Sequence, residues 1–100
     1  MIGNIIDTAR NINQHRDTVC VALKVAEETG ELAQAIMKNQ GYDEVVKEVA
    51  DIIIAATDVG WLAFCEEWNE NAPNIRDKYE TDLMNAIRMK LDKWVQVYSK

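Results

Sequence analysis

Between Ile52 and Cys65 the chain carries only two polar side chains, Thr57 and Asp58. A helix apolar nearly all round must be buried on most of its sides. One hundred residues suffice for one domain and one core, but leave little chain to cover such a helix. The expected architecture is therefore a single all-α domain over residues 1–100, assembled as a homodimer or homotetramer with this helix central. Composition agrees with a packed helical fold. Hydrophobic residues make up 48%, and only one Pro and four Gly interrupt the chain. Its Val, Ile and Thr residues do not alternate in runs bounded by turn pairs, as strands would require.

Four helical segments follow from spacing. Ile2, Ile5, Ile6, Ala9 and Ile12 predict a first helix over roughly 2–14, with His15 a helix-end residue. Asp17 is an N-cap for the second. Along it Val19, Ala22, Leu23, Ala26, Gly30, Ala33 and Met37 form one apolar stripe, and Val21, Val25 and Leu32 a second strip opposite. Gly41, tolerant of the left-handed conformation, stops this helix near residue 39. Asp43 is expected to cap the third helix, with Glu44 in its first turn. Glu66–Asn74 is the one loop-like stretch, and Tyr79, Leu83, Ile87, Leu91, Trp94 and Tyr98 trace a fourth helix.

Charge narrows the function classes. The net charge is −6, which argues against general nucleic-acid binding, because phosphate contacts need Lys and Arg. An acidic protein that handles phosphates needs metal ions between the two negative partners. Residues 1–75 hold 5 basic and 13 acidic side chains, whereas residues 76–100 hold 6 and 4. This division suits a metal-binding acidic half and a basic helix that receives phosphate; solvated helix faces are the plainer reading. Residues 1–10 lack the basic start and apolar run of an export signal, and Ile52–Ala56 is too short to span a bilayer. With Cys20 and Cys65 far apart, the expectation is a cytoplasmic protein with free thiols and no membrane partner.

The chemistry lies in two pairs of carboxylates. Glu28 and Glu31 on the second helix, and Glu48 and Asp51 on the third, are each three residues apart. That spacing puts each pair on one helix face, with Cβ atoms about 5–6 Å apart. Two such pairs on antiparallel neighbours can converge on one point, and hard divalent cations take oxygen ligands of this kind. The competing reading is a solvated face with local ion pairs, Lys24 to Glu28 and Lys47 to Asp51. Against it, Glu28 is bordered by the second apolar strip and Asp51 opens onto Ile52-Ile53-Ile54. Ionised carboxylates beside a core cost free energy unless something compensates, and a cation would.

Glu28-x-x-Glu31, sixteen residues, then Glu48-x-x-Asp51 resembles the signature of the MazG-like nucleotide pyrophosphohydrolases. LKVAEETGELAQAI resembles that family's second helix and EVADIII its third. The resemblance spans residues 20–60 closely and the C-terminal helix loosely. It implies a four-helix fold, an obligate dimer or higher assembly, and Mg²⁺-dependent cleavage of a (deoxy)nucleoside triphosphate to monophosphate and pyrophosphate, with Mn²⁺ a substitute cation. It makes Glu28, Glu31, Glu48 and Asp51 the metal ligands and Glu27 an additional acid that orients water or an outer group. Lys90-Leu91-Asp92-Lys93 resembles a helix whose lysine contacts phosphate, so Lys90 and Lys93 become phosphate contacts. Trp94 stands where many relatives place Asn.

Two further candidates lie on the third helix. Asp58, two turns beyond Asp51 on the same face, is a contact for sugar or base, set against a core hydrogen-bonding role. Trp61 is a candidate to stack on a base, set against a core or interface role. Two other function classes are weighed. Phosphoribosyl-ATP pyrophosphohydrolase has similar acidic helices, and a non-catalytic helical oligomerisation module would retain the fold without turnover. A di-iron carboxylate bundle needs Glu-x-x-His pairs, and no His lies near these acids in sequence.

Overall fold

A computed structural model describes residues 1–12, 16–69 and 71–99. These form four α-helices and, among the described residues, no strand: α1 (Ile2–Asn11), α2 (Thr18–Met37), α3 (Tyr42–Glu67) and α4 (Ile75–Tyr98). Among the described residues no helix is long and apolar enough to cross a membrane. The first helix is shorter than the expected span of roughly 2–14: it ends at Asn11, and Ile12 turns extended as its C-cap at φ −72° and ψ 117°; residues 13–15, and with them the helix-end role of His15, fall outside the described residues.

Local chemistry explains the boundaries. Asp17 caps α2 as expected, accepting a bond from the backbone N–H of Val19 at 2.9 Å. The end of α2 departs from expectation. Asn39, at φ 51°, takes the left-handed position, and the N–H groups of Asn39 and Gln40 bond the carbonyls of Ile36 and Ala35 at 3.2 and 3.0 Å. This is a helix-terminating pair of bonds that asparagine accommodates. Gly41, at φ 97°, opens α3 as its N-cap rather than closing α2, and Asp43 and Glu44 lie inside the first turn of α3, where negative charge suits the helix dipole. Asp43 is thus not the cap. The third helix also runs on through Glu66 and Glu67, leaving a connection shorter than the loop expected from sequence.

The core joins α1, the C-terminal half of α3 and the start of α4. Ile2, Ile6 and Ala9 pack on Trp61, Phe64, Ile75 and Tyr79. Tyr79 donates its hydroxyl to the carbonyl of Thr57 at 2.7 Å. It can reach because Gly60 has no side chain; a Cβ there would run into the phenol oxygen. Burial raises the Tyr79 phenol to about 12, with the charge of Asp58 adding to the effect.

α2 packs along α3 as an antiparallel hairpin. The face it buries is the second strip: Val21, Val25 and Leu32 are partly covered, and Glu28 and Ala35 are buried. The longer stripe from Val19 to Met37, the apparent core face in the sequence, is exposed in the single chain, Leu23 by 66%. On α3, Ile53 and Ile54 are exposed too, and the last three turns of α4 carry Leu91, Trp94 and Val95 uncovered. The radius of gyration is 15.5 Å, against about 13 Å for a compact domain of this length. One chain alone leaves much of its apolar surface wet.

Candidate metal centre

The α2–α3 hairpin brings three of the four expected ligands together. One carboxylate oxygen each from Glu28, Glu48 and Asp51 lies within 4.8 Å of the others. Glu28 is 5% exposed, because the second strip of α2 draws it against α3. Lys24, one turn earlier, binds Glu28 Oε1 at 3.3 Å. The other oxygen, Glu28 Oε2, is buried with no hydrogen-bond partner, and so is Glu48 Oε2. Buried carboxylate oxygens are costly unless paired. Two orphaned acceptors beside a third carboxylate fit a hard divalent cation, whose ligands are oxygen atoms.

Glu31 is not one of this trio, but its carboxyl lies beside that of Glu28. It is exposed, and its carboxyl is raised above the usual range, first by the charge of Glu28, then by partial desolvation and by Glu48 and Glu27. Glu27 is exposed as well, and its charge reaches both Lys24 and Glu31. Lys24 is raised in turn, chiefly by its bond to Glu28. Lys47 pairs with Glu44 at 3.2 Å instead of Asp51, which leaves Asp51 to the cluster.

The cluster opens into a cavity of about 590 Å³ between the N-terminal part of α2 and α3. Glu28 and Asp51 line one part of it, and Arg16, Lys24 and Asp58 another. A volume of this size suits a small-molecule ligand. Arg16 was not singled out by the sequence, and Lys24 figured there only as an ion-pair partner. Lys24 is a cation within reach of a ligand whose phosphates approach the carboxylates. Asp58 is part-buried, and Arg16 grips both its oxygens, Nε to Oδ2 at 3.0 Å and Nη2 to Oδ1 at 2.8 Å.

The remaining candidates are elsewhere. Trp61 is 3% exposed, stacked on Phe64 with centroids 5.8 Å apart and covered by the Arg10 guanidinium at 5.7 Å. It takes the core role, and no free ring face is left for a base. Lys90 and Lys93 lie on the exposed outer half of α4, which packs within the chain through its N-terminal end against α1. Within one protomer they are not brought to the carboxylates. The chain matches no protein-family model, no curated protein and no solved structure.

Proposed function

We propose that the protein is a Mg²⁺-dependent nucleoside triphosphate pyrophosphohydrolase of the MazG-like type. The observation that carries this reading is the meeting of Glu28 on α2 with Glu48 and Asp51 on α3, with a buried, unpartnered oxygen on both Glu28 and Glu48, next to a cavity that Lys24 also lines. Glu28, Glu48 and Asp51 would hold the cation, and Glu31, within electrostatic reach of Glu28, is the fourth acid of the set. Bound there, Mg²⁺ would offset phosphate charge and make a water molecule more acidic.

The chain's own groups divide the rest of the work. Lys24 sits where it would hold a phosphate oxygen as a mobile point charge, whereas Arg16 spends its fork on Asp58. A carboxylate of the set accepts the proton of the attacking water. Glu27, on the solvent side, orients that water or an outer group. Pyrophosphate leaves with its charge offset by lysine. His or Ser nucleophiles are not required by this route.

The reading includes a homo-oligomer. The uncovered Val19–Met37 stripe, Ile53, Ile54 and the outer half of α4 support it, since joining such surfaces gains about 25 cal/mol per Å² of apolar area. Assembly would also give Lys90 and Lys93 a carboxylate site to approach, that of a neighbouring copy.

The test is a panel of nucleoside triphosphates, with phosphoribosyl-ATP included, scored for pyrophosphate release with and without Mg²⁺. In ¹⁸O-labelled water the label should appear in the monophosphate, which marks attack at the α-phosphorus. Orthophosphate as first product, or no release from any member, overturns the proposal.

A further inference from the structure

A second cavity, of about 230 Å³, lies between α1 and α3. Whole ligand pockets run to roughly 300–1,000 Å³, so this one takes a planar ring system rather than an entire nucleotide. Its walls are mostly aliphatic, from Ile5, Ala9, Ile12 and Ile54. Ile54 and Asp58 line this slot and the carboxylate cavity alike, so the two adjoin along α3. Asp51 at the cluster and Asp58 at the slot are seven residues apart on one face, about 10 Å of helix axis. A sugar can bridge that gap between a phosphate at the cluster and a base in the slot.

Among the described residues Asp58 is the one ionisable side chain lining the slot, with Asn4 and Thr8 as its other polar lining. Arg16 fixes its orientation through both oxygens, and Arg16 Nη2 is itself tied to the carbonyl of Ala9 at 3.3 Å. An ionised carboxylate offers roughly four acceptor positions and no donor. The guanidinium occupies one on each oxygen, leaving acceptor capacity directed elsewhere. A ligand N–H meeting it gains a charge-assisted bond, whereas a ligand carbonyl meeting it faces like partial charge.

We propose that the slot receives the nucleobase and that Asp58 selects bases bearing an exocyclic amino group over those with a carbonyl in the same position. This rests on the triphosphate reading above and extends it to a substrate class. The Arg16–Asp58 pair is the selecting device, with Arg16 the positioning residue, and Ile5, Ile12 and Ile54 supply apolar walls.

The comparison that tests it is kcat/KM for two matched pairs, CTP against UTP and ATP against ITP. In the wild type the amino member of each pair should lead by roughly ten- to a hundredfold. Asp58→Asn offers a donor as well as an acceptor, so both ratios should fall toward one through a gain on the carbonyl member. Because that change also breaks the Arg16 pair, Ile5→Phe serves as a second variant. It fills the slot, leaves the pair intact, and should raise KM for all four nucleotides without altering the thermal shift produced by Mg²⁺. Equal rates within each pair overturn the proposal. So does an Asp58→Asn effect that follows the sugar 2′-hydroxyl in place of the base. If no triphosphate is hydrolysed, the hydrolase reading falls, and the slot is judged alone by NMR titration with CMP and UMP. Shifts at the Ala9 and Ile54 amides confined to CMP then support the slot; equal or absent shifts refute it.

Discussion

Glu48→Gln separates a metal centre from a merely acidic surface, because only a metal centre ties the stability of the fold to Mg²⁺. Three carboxylate oxygens lie within 4.8 Å of one another. Two unit charges at 4.8 Å repel by about 3.5 kcal/mol at an effective dielectric constant near 20, and by about 1 kcal/mol in water. Replacing Glu48 removes its repulsion with both Glu28 and Asp51. It breaks no described ion pair, since Lys24 binds Glu28, and the new amide can donate to a neighbouring carboxylate. Asp51 is exposed, so screening holds the gain near the lower limit, about 2 kcal/mol in total. For a chain of this length that raises Tm by about 10 °C. Adding Mg²⁺ at a hundred times its Kd stabilises the wild type by about 2.7 kcal/mol, and the variant, short of a ligand, by much less. The assay is thermal unfolding by circular dichroism in EDTA and in excess Mg²⁺. A variant melting at or below the wild type in EDTA, beside a wild type indifferent to Mg²⁺, refutes the centre.

Asp51→Asn and Glu31→Gln should each abolish pyrophosphate release while leaving the helical circular dichroism spectrum unchanged; full activity with normal metal dependence in either variant removes the site. Light scattering at micromolar concentration should return a multiple of 11.4 kDa, and a stable species of that mass itself contradicts the assembly. Tyr79 should make stability fall in the alkaline range. Its folded pKa of about 12 lies above the ordinary value near 10, so its contribution is complete below pH ~10 and lost as pH rises to ~12. The pKa gap is worth about 2–3 kcal/mol at most. Tyr79→Phe should cost about 1 kcal/mol at pH 8, from the lost bond to Thr57, and flatten that decline in alkaline thermal melts.

The helices were legible because they are local. Asp17 caps α2 through its own second neighbour, and i, i+3 carboxylates share a face wherever the backbone is helical. The second strip around Glu28 also pointed to its burial, since a charged group flanked by Val21, Val25 and Leu32 must approach whatever those residues pack on. Misreadings arose where two local solutions compete. Asn39 and Gly41 both tolerate positive φ, and only the hydrogen bonds of Asn39 and Gln40 decide which one ends α2. The longer apolar stripe of α2 is not the buried one; the buried face is chosen by α3, not by α2. The Arg16–Asp58 pair joins residues 42 apart, and no periodicity reports such a contact. Trp61 has the chemistry of a base platform and of a core residue alike; its surroundings assign it to the core.

The two lysine sets make different demands on the assembly. Lys24 shares a cavity with Glu28 and Asp51 in one protomer, so Lys24→Met should raise KM for triphosphate whatever the oligomeric state. Lys93, on the uncovered end of α4, can serve a carboxylate cluster only across an interface. In that case Lys93→Met and Asp51→Asn damage different copies' contributions to one site. For a dimer, mixing the two inactive variants and letting subunits exchange gives about half heterodimers, each with one site that has both an intact Asp51 and an intact partner lysine. Activity should return to about a quarter of the wild-type value per protomer. If Lys93 acts within its own protomer, no site in the mixture is complete and nothing returns. If Lys93→Met is fully active alone, the outer half of α4 serves assembly only, and the phosphate contact rests with Lys24.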